Sequence, residues 1–568
     1  MTQAIADVQQ LESGWAPGID RSRFDPKQLM ARFDGLKNDR SAFSSHWQQI
    51  AEVLSPAGAV FTDDGAHYQQ GTKNARHVYD TTGIHSNELL SSGFFSLLTS
   101  PTIPWFILQT SDTSLNQDFE VADWLAKITK IMQYEIQRPQ TGFTTSMHEF
   151  YLEYGGYGNS TMFVTESKDR QNLLFLTLPL HECYYQENDE GRVDTLFRKY
   201  WRTPYQLMER FGVANISKRA AQLLADPKSN ERIEVLHVIM PNLYGKINSL
   251  FNDSLPFLSV YIDIKNTHVM SVSGFQEMPF MAARFYKMPQ EIYGRGPGST
   301  ALPDLNMLQE MTKTVLRGAQ KIVDPPLQMP DQGFINPPNT APGRVNYYRA
   351  GTAETDRIMP LQTGGQPQIG LDIIMNIQNR IREIFFVDQL QLNIGPQMTA
   401  TEVIQRTEEK QRLMGPIIGR ASTELLSPLL LRCFGIRVRA GKLPFPPQAI
   451  VEGNPQLKIV YTSPIFKAQE QVAANNVTRT AQVLLPFMSV DPSVMDVFHP
   501  YRMAKGIGEV FNVDPEFFRT EDEFQEVQES RAQAAAQQQQ AEMLKNQGAG
   551  INSLAQAGGH LQSLGGGM

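Results

Sequence analysis

Cysteine is nearly absent: there are two in 568 residues, Cys183 and Cys433, far apart. No metal-ligand spacing links them, so the expectation is two buried free thiols in a reducing compartment. Long apolar runs are missing as well. No stretch of about 18 apolar residues could span a bilayer. The opening MTQAIADVQQLESGW has neither the basic start nor the apolar centre of a secretory signal. The chain is therefore expected to fold in a cytoplasm, with no membrane partner. Basic charge is also short, with 51 Lys and Arg against 59 Asp and Glu, a net −8. A protein that grips DNA phosphates tightly is usually basic. Any DNA contact is expected to be local or weak.

Catalytic signatures are equally scarce. Gly245–Lys246 and Gly441–Lys442 lack the upstream glycine and the following Ser or Thr of a phosphate-binding loop. The stretch from Gly294 to Ser299 has no lysine, and Pro297 removes a backbone donor. It reads as a turn before a helix. His148–Glu149 lacks a second histidine four residues from the first. His181–Glu182–Cys183 lacks a second ligand pair, and Asp63–Asp64 sits in a polar loop. There is no G-x-S-x-G elbow. No metal, cofactor or catalytic residue is expected. A nucleic-acid enzyme, such as a nuclease or terminase subunit, is the alternative these absences argue against.

What is present is ample chain for about three to five domains, with 41% hydrophobic residues. Helical periodicity marks 26–54, 80–98 and 118–137. The middle is strand-rich, with candidates at 173–178, 193–200, 232–239, 258–264 and 270–272. The mixture predicts an α+β fold. A long helix is expected over 304–323, with Leu305, Leu308, Thr312, Val315, Ala319 and Ile322 as its inward stripe. Lys313, Arg317 and Lys321 recur at i, i+4 and i+8 and so share one face. Two readings of that line stand open: a solvated or salt-bridged face, and a basic stripe facing nucleic acid. A Pro- and Gly-rich insert covers 324–370, with a short strand at 345–349. A second long helix follows over 371–388, with Ile374, Ile377, Ile381, Ile384 and Phe385 on its apolar side. The loop 389–398 carries Gln389, Gln391, Asn393 and Gln397, all uncharged polar groups. Thr399 and Glu402 form a T-x-x-E capping box for a third helix, which Gly415–Pro416 should kink. A strand is expected at 457–461, then helices at 467–488, 494–509 and 515–528. The segment 529–545 is a strong helix former, and a Gly-rich tail ends the chain.

Four stretches resemble the head-to-tail connector (portal) family of short-tailed phages. They are Trp47-Gln-Gln-Ile-Ala-Glu-Val-Leu-Ser-Pro56; Val78-Tyr-Asp-Thr-Thr-Gly-Ile84 running through Leu89-Leu-Ser-Ser-Gly93 and Leu98-Thr-Ser-Pro101 to Pro104-Trp-Phe106; Tyr293-Gly-Arg-Gly-Pro297 with Leu302-Pro-Asp304; and Thr399-Ala-Thr-Glu-Val403. The resemblance spans roughly residues 26–525, and its specificity lies in the order and spacing of the motifs. It implies a multi-domain, ring-forming portal fold, mainly helical with a strand-rich wing. The arm would be 1–25, the wing 26–303 and 399–465, and the stem 304–323 and 371–388. The clip would be 324–370, the tunnel loop 389–398, the crown 466–528, and a barrel helix with a flexible tail 529–568. It further implies a dodecamer at the portal vertex of the virion. Double-stranded DNA would pass through it irrespective of sequence, and terminase, scaffold or capsid protein and a tail adaptor would be its partners. Lys313, Arg317 and Lys321 would then be stem residues of the DNA channel, and Gln389, Gln391, Asn393 and Gln397 its loop. The alternative within structural proteins is a tail adaptor or scaffold.

Overall fold

The computed structural model describes residues 25–56, 61, 78–112, 114–167, 169–226, 231–242, 255–328, 344–345, 347, 359–360, 367–390, 414–453, 456–462 and parts of 523–537. The chain groups into two compact units. The first takes 1–105 and 130–443, and the second takes 106–129 and 444–568. The stretch read from sequence as one continuous wing segment, 26–303, is thus interrupted by a piece that groups with the C-terminal region.

In the first unit, helix α1 (Pro26–Leu54) starts where Asp25 accepts the Lys27 N–H at 2.9 Å and Pro26 supplies a preset first turn. Helix α2 (Thr82–Leu98) follows. In the second unit, β1 (Phe106–Thr110) pairs antiparallel with the late strand at Leu457–Tyr461. Helix α3 (Phe119–Gln137) contains the boundary between the units. Helix α4 (Phe143–Tyr157), absent from the sequence expectation, leads into β2 (Asn159–Glu166). Then come β3 (Leu173–Leu178), β4 (Cys183–Glu187) and β5 (Val193–Arg202). Two short helices, α5 (Pro204–Phe211) and α6 (Lys218–Leu224), precede β6 (Ile233–Pro241), β7 (Phe257–Asp263), β8 (His268–Phe275) and β9 (Phe280–Arg284).

Strands β2 to β9 form an antiparallel five-stranded meander, β4-β5-β6-β7-β8, and a three-stranded sheet, β3-β2-β9. Alternation sorts the meander's side chains. Phe197, Leu236, Val238, Val260 and Ile262 bury against Leu29, Phe33 and Leu36 of α1. Val235, Tyr261 and Met270 bury against Leu207 and Phe211 of α5 and Leu223 of α6 on the other face. A bulge between Tyr261 and Ile262 leaves Met270 as an extra residue. That single insertion is why Met270 and Val272 serve opposite faces.

The long helix α7 (Pro297–Val323) opens at Pro297, earlier than expected, and runs through Pro303. A short ladder, β10 (Leu327–Gln328) with β11 (Met359–Pro360), closes the base of the insert. Helix α8 (Pro367–Ile384) lies against α7. It stops at Phe386, whose φ of 58° is left-handed, and the turn α9 (Val387–Leu390) follows. Residues 414–421 are helical and continue into a π-helical turn at Ser422–Leu426, then α10 (Ser427–Arg439). The wide turn has a local cause. Pro428 has no N–H to return to the Glu424 carbonyl, and the Ser427 N–H reaches back to Ser422 instead. The turn of helix before Gly415–Pro416, on which the expected kink would act, lies outside the described residues. In the second unit, α11 (Gln448–Gly453) and β12 (Leu457–Tyr461) complete the pairing with β1. The expected capping box at Thr399, the helices 467–488 and 494–509 and most of the insert lie outside the described residues.

Candidate functional site

The element with the strongest claim to function is the helix pair α7–α8. Its base is seated by glycines. Gly294, Gly296 and Gly298 meet Gly155, Gly156 and Gly158 at the end of α4. A Cβ at Gly296 would stand 2.7 Å from the Gly155 carbonyl oxygen, and one at Gly298 would overlap the Gly156 carbonyl. Only backbone fits there, which gives Tyr293-Gly-Arg-Gly-Pro297 its physical meaning. Asn159 stitches the same seam, accepting the Gly294 N–H at 2.7 Å and donating to its carbonyl at 2.8 Å.

Around this seat, buried guanidiniums tie the elements together. Arg284 on β9 is 2% exposed and pairs with Glu424 of the π turn at 2.7 Å, with Glu187 of β4 as a second partner. Arg437 pairs with Glu135 at 2.7 Å. Arg40 donates to the carbonyls of Leu180, His181 and Cys183 at 3.1, 3.0 and 2.6 Å. The His181–Glu182–Cys183 stretch is thereby tied up: Glu182 pairs with Arg198 at 2.7 Å, and burial pushes the Cys183 thiol up to about 12. Cys433 is likewise buried and free, its thiol pushed up to about 12.

Along the pair, the burial pattern changes. Leu305 and Leu308 of α7 are fully buried, as are Ile377, Ile381 and Phe385 on and after α8. The expected inward stripe then fails: Thr312 and Val315 are half-buried, and Ala319 and Ile322 are exposed. Towards its far end the pair shows apolar side chains to solvent, with Val323 85%, Ile322 56%, Ile369 57% and Met375 60% exposed.

The predicted basic line divides. Lys313 is half-buried, holds Glu310 at 3.0 Å and lies 5.8 Å from the Tyr79 ring centre. Arg317 and Lys321 are exposed. The spacing that aligned the three could not show that the first meets the Tyr79 ring. Gln389 was expected in a loop and instead lies in the α9 turn, because the left-handed break at Phe386 restarts the helix. Its Oε1 is buried and finds no hydrogen-bond partner among the described residues. Leu390 on the same turn packs over Gly93 of α2, where a Cβ would come within 2.8 Å. Gln391, Asn393 and Gln397 lie outside the described residues.

Sequence reasoning passed over three polar residues at the middle of the pair. Gln309 of α7 accepts the N–H groups of Tyr79 and Asp80 at 2.6 and 3.0 Å and donates to the Asp80 carbonyl at 2.8 Å. Gln378 of α8 donates to the Asp80 carboxylate at 2.7 Å. The other Asp80 oxygen accepts the Thr82 N–H at 2.7 Å, at the start of α2. The available signal was Asp80 within the Val78–Ile84 motif. The two glutamines carry none, since an amide on an amphipathic helix reads as surface.

Comparison with known proteins decides the family. Residues 26–518 match the model of the bacteriophage head to tail connecting protein family. The chain belongs to that family. It is 30% identical over 532 residues to the probable portal protein of Bordetella phage BPP-1, covering 92% of this chain and 94% of that protein. It is 27% identical over 525 residues to the portal protein of Salmonella phage epsilon15, covering 90% and 92%. Among the described residues, no helix is long and apolar enough to cross a membrane.

Proposed function

We infer that the chain is a viral portal subunit, a structural component of the virion that joins head to tail. Twelve copies close into a ring at the portal vertex. The ring conducts DNA in packaging and ejection and docks the terminase motor and later the tail adaptor. The α7–α8 pair is the stem, the insert between its strands β10 and β11 is the clip, and 391–398, after the α9 turn, forms the loop that meets DNA.

The observation that carries this reading is the apolar far half of the pair. A two-helix hairpin has too little core to keep such residues in water, and exposed apolar surface of this extent marks an association face. Each half-exposed aliphatic side chain covered by a neighbour adds about 1 kcal/mol. A face on α7 and another on α8 give each copy two different surfaces, the requirement for a head-to-tail ring. The net acidic charge suits a channel through which a polyanion must slide, because tight phosphate contacts would hold it.

Negative-stain images of the purified protein should show rings with a central hole; a strictly monomeric species at high concentration would refute the reading. Charge reversal at Lys313, Arg317 and Lys321 should alter DNA passage and leave rings intact. Deleting 390–397 should impair packaging or DNA retention in intact rings. Metal-dependent nuclease and ATPase assays test the enzymatic alternative, and activity in either would reopen it.

A further inference from the structure

We propose that Asp80, Gln309 and Gln378 form a clamp that sets the tilt of the α7–α8 pair on the body, and that they are positioning residues for the DNA channel. The proposal rests on the reading of the pair as the channel wall.

Both helices of the pair are held by the same two-residue step. Gln309 comes from α7 and reads only backbone, taking two N–H groups and giving one to a carbonyl. That pattern permits one amide orientation, since the flipped amide would set donors against donors. Gln378 comes from α8 and grips the carboxylate oxygen left over after the other caps Thr82. A neutral amide donor on an acidic cap is a directional tie that apolar packing cannot supply.

The step itself is rooted in the body. It opens α2, whose Asn87 donates to the Leu152 carbonyl at 3.1 Å and whose Ser91 donates to the His148 carbonyl at 3.1 Å, both on α4. The glycine seam fixes the start of α7, and the clamp takes hold twelve residues further along, near the middle of the helix. Two points of attachment define a direction. Beyond the second, Arg317, Lys321, Ile322 and Val323 are exposed. The arm from Gln309 to Val323 is about 21 Å long, so a tilt of about 10° at the clamp moves its end by about 4 Å.

Spin labels at Asp324→Cys and Lys218→Cys, both exposed and both in the first unit, report this tilt. The native Cys183 and Cys433 are buried and do not compete for label. Rings assembled from a few labelled subunits among unlabelled ones give the intra-subunit distance by pulsed electron resonance. Gln378→Glu sets a second carboxylate against Asp80, and the distance should shift or broaden by about 4 Å. Adding Asp80→Asn gives the new carboxylate an N–H partner and should restore the original distribution. DNA packaged per particle should fall with the single change and recover with the pair. An unchanged distance in Gln378→Glu overturns the clamp, as does a shift the second change fails to reverse. Distances that move and recover while packaging stays constant leave the clamp standing and overturn the channel-wall reading. If Gln378→Glu does not fold, Gln378→Met removes the tie at similar volume, and an unchanged distance there refutes the proposal.

Discussion

The glycine seam that seats the helix pair can be tested by comparing two glycines on the same helix. Gly142 precedes α4 and Gly158 ends it, both left-handed, with φ of 68° and 79°. An alanine at either position must adopt that conformation, which costs about 1–2 kcal/mol. At Gly142 nothing is added, because the new methyl would lie 3.6 Å from the Phe175 carbonyl oxygen, an ordinary contact. At Gly158 the methyl would overlap the Gly296 nitrogen and the Arg295 carbonyl carbon, which are backbone atoms and cannot turn aside. Forced overpacking of this kind adds about 1–3 kcal/mol. Gly158→Ala should therefore cost about 2–5 kcal/mol, against about 1–2 for Gly142→Ala. At about 1 °C of melting temperature per kcal/mol for a unit of this size, the two should lower the transition by about 2–5 °C and about 1–2 °C. Thermal melts followed by near-ultraviolet circular dichroism read both. Equal losses would mean that the close approach of the two segments has no energetic weight, and the account of how α7 is seated would fall.

Other expectations follow from the same geometry. Glu424→Ala leaves Arg284 with a lost partner at 2% exposure and should cost about 3–5 kcal/mol, read by chemical denaturation; a loss below about 1 kcal/mol would show the pair to be ornamental. Burial raises the Glu153 carboxyl to about 8, with Glu182 and Glu149 adding to the rise. The folded state thus keeps a proton the unfolded chain gives up, and this contribution is whole below the ordinary glutamate value of 4.5 and lost as pH rises through about 8. Glu153→Gln should flatten that decline, which can reach about 1.4 kcal/mol per pH unit; an unchanged slope between those limits would contradict it. The combined Ile322→Glu and Ile369→Glu variant should sediment as a folded monomer, and intact rings would remove the far half of the pair from the subunit interface.

Local elements and family were legible in the order of residues. The strand Leu457–Tyr461, the helix Pro26–Leu54 and the two long helices follow from periodicity, proline and capping, which act within a few residues. The sparse cysteines, the acidic balance and the four spaced motifs were equally open to reading. Helix α4 was not: its Tyr154-Gly155-Gly156-Tyr157-Gly158 end looks like a breaker, and only the partner glycines of the α7 turn explain it. Pairings between distant residues were closed to inspection too, because chain order does not say what lies opposite. Phe106 finds Tyr461, Gln309 finds Asp80, and Lys313 finds the Tyr79 ring. Burial is likewise a property of the packed whole. The regular apolar stripe of α7 predicted one inward face along its length, but the body covers only its first half. What the sequence alone determined is most of the described local elements and the family. What the tertiary structure decided is where the helix pair leaves the body, since covering a side chain needs neighbours that only folding supplies.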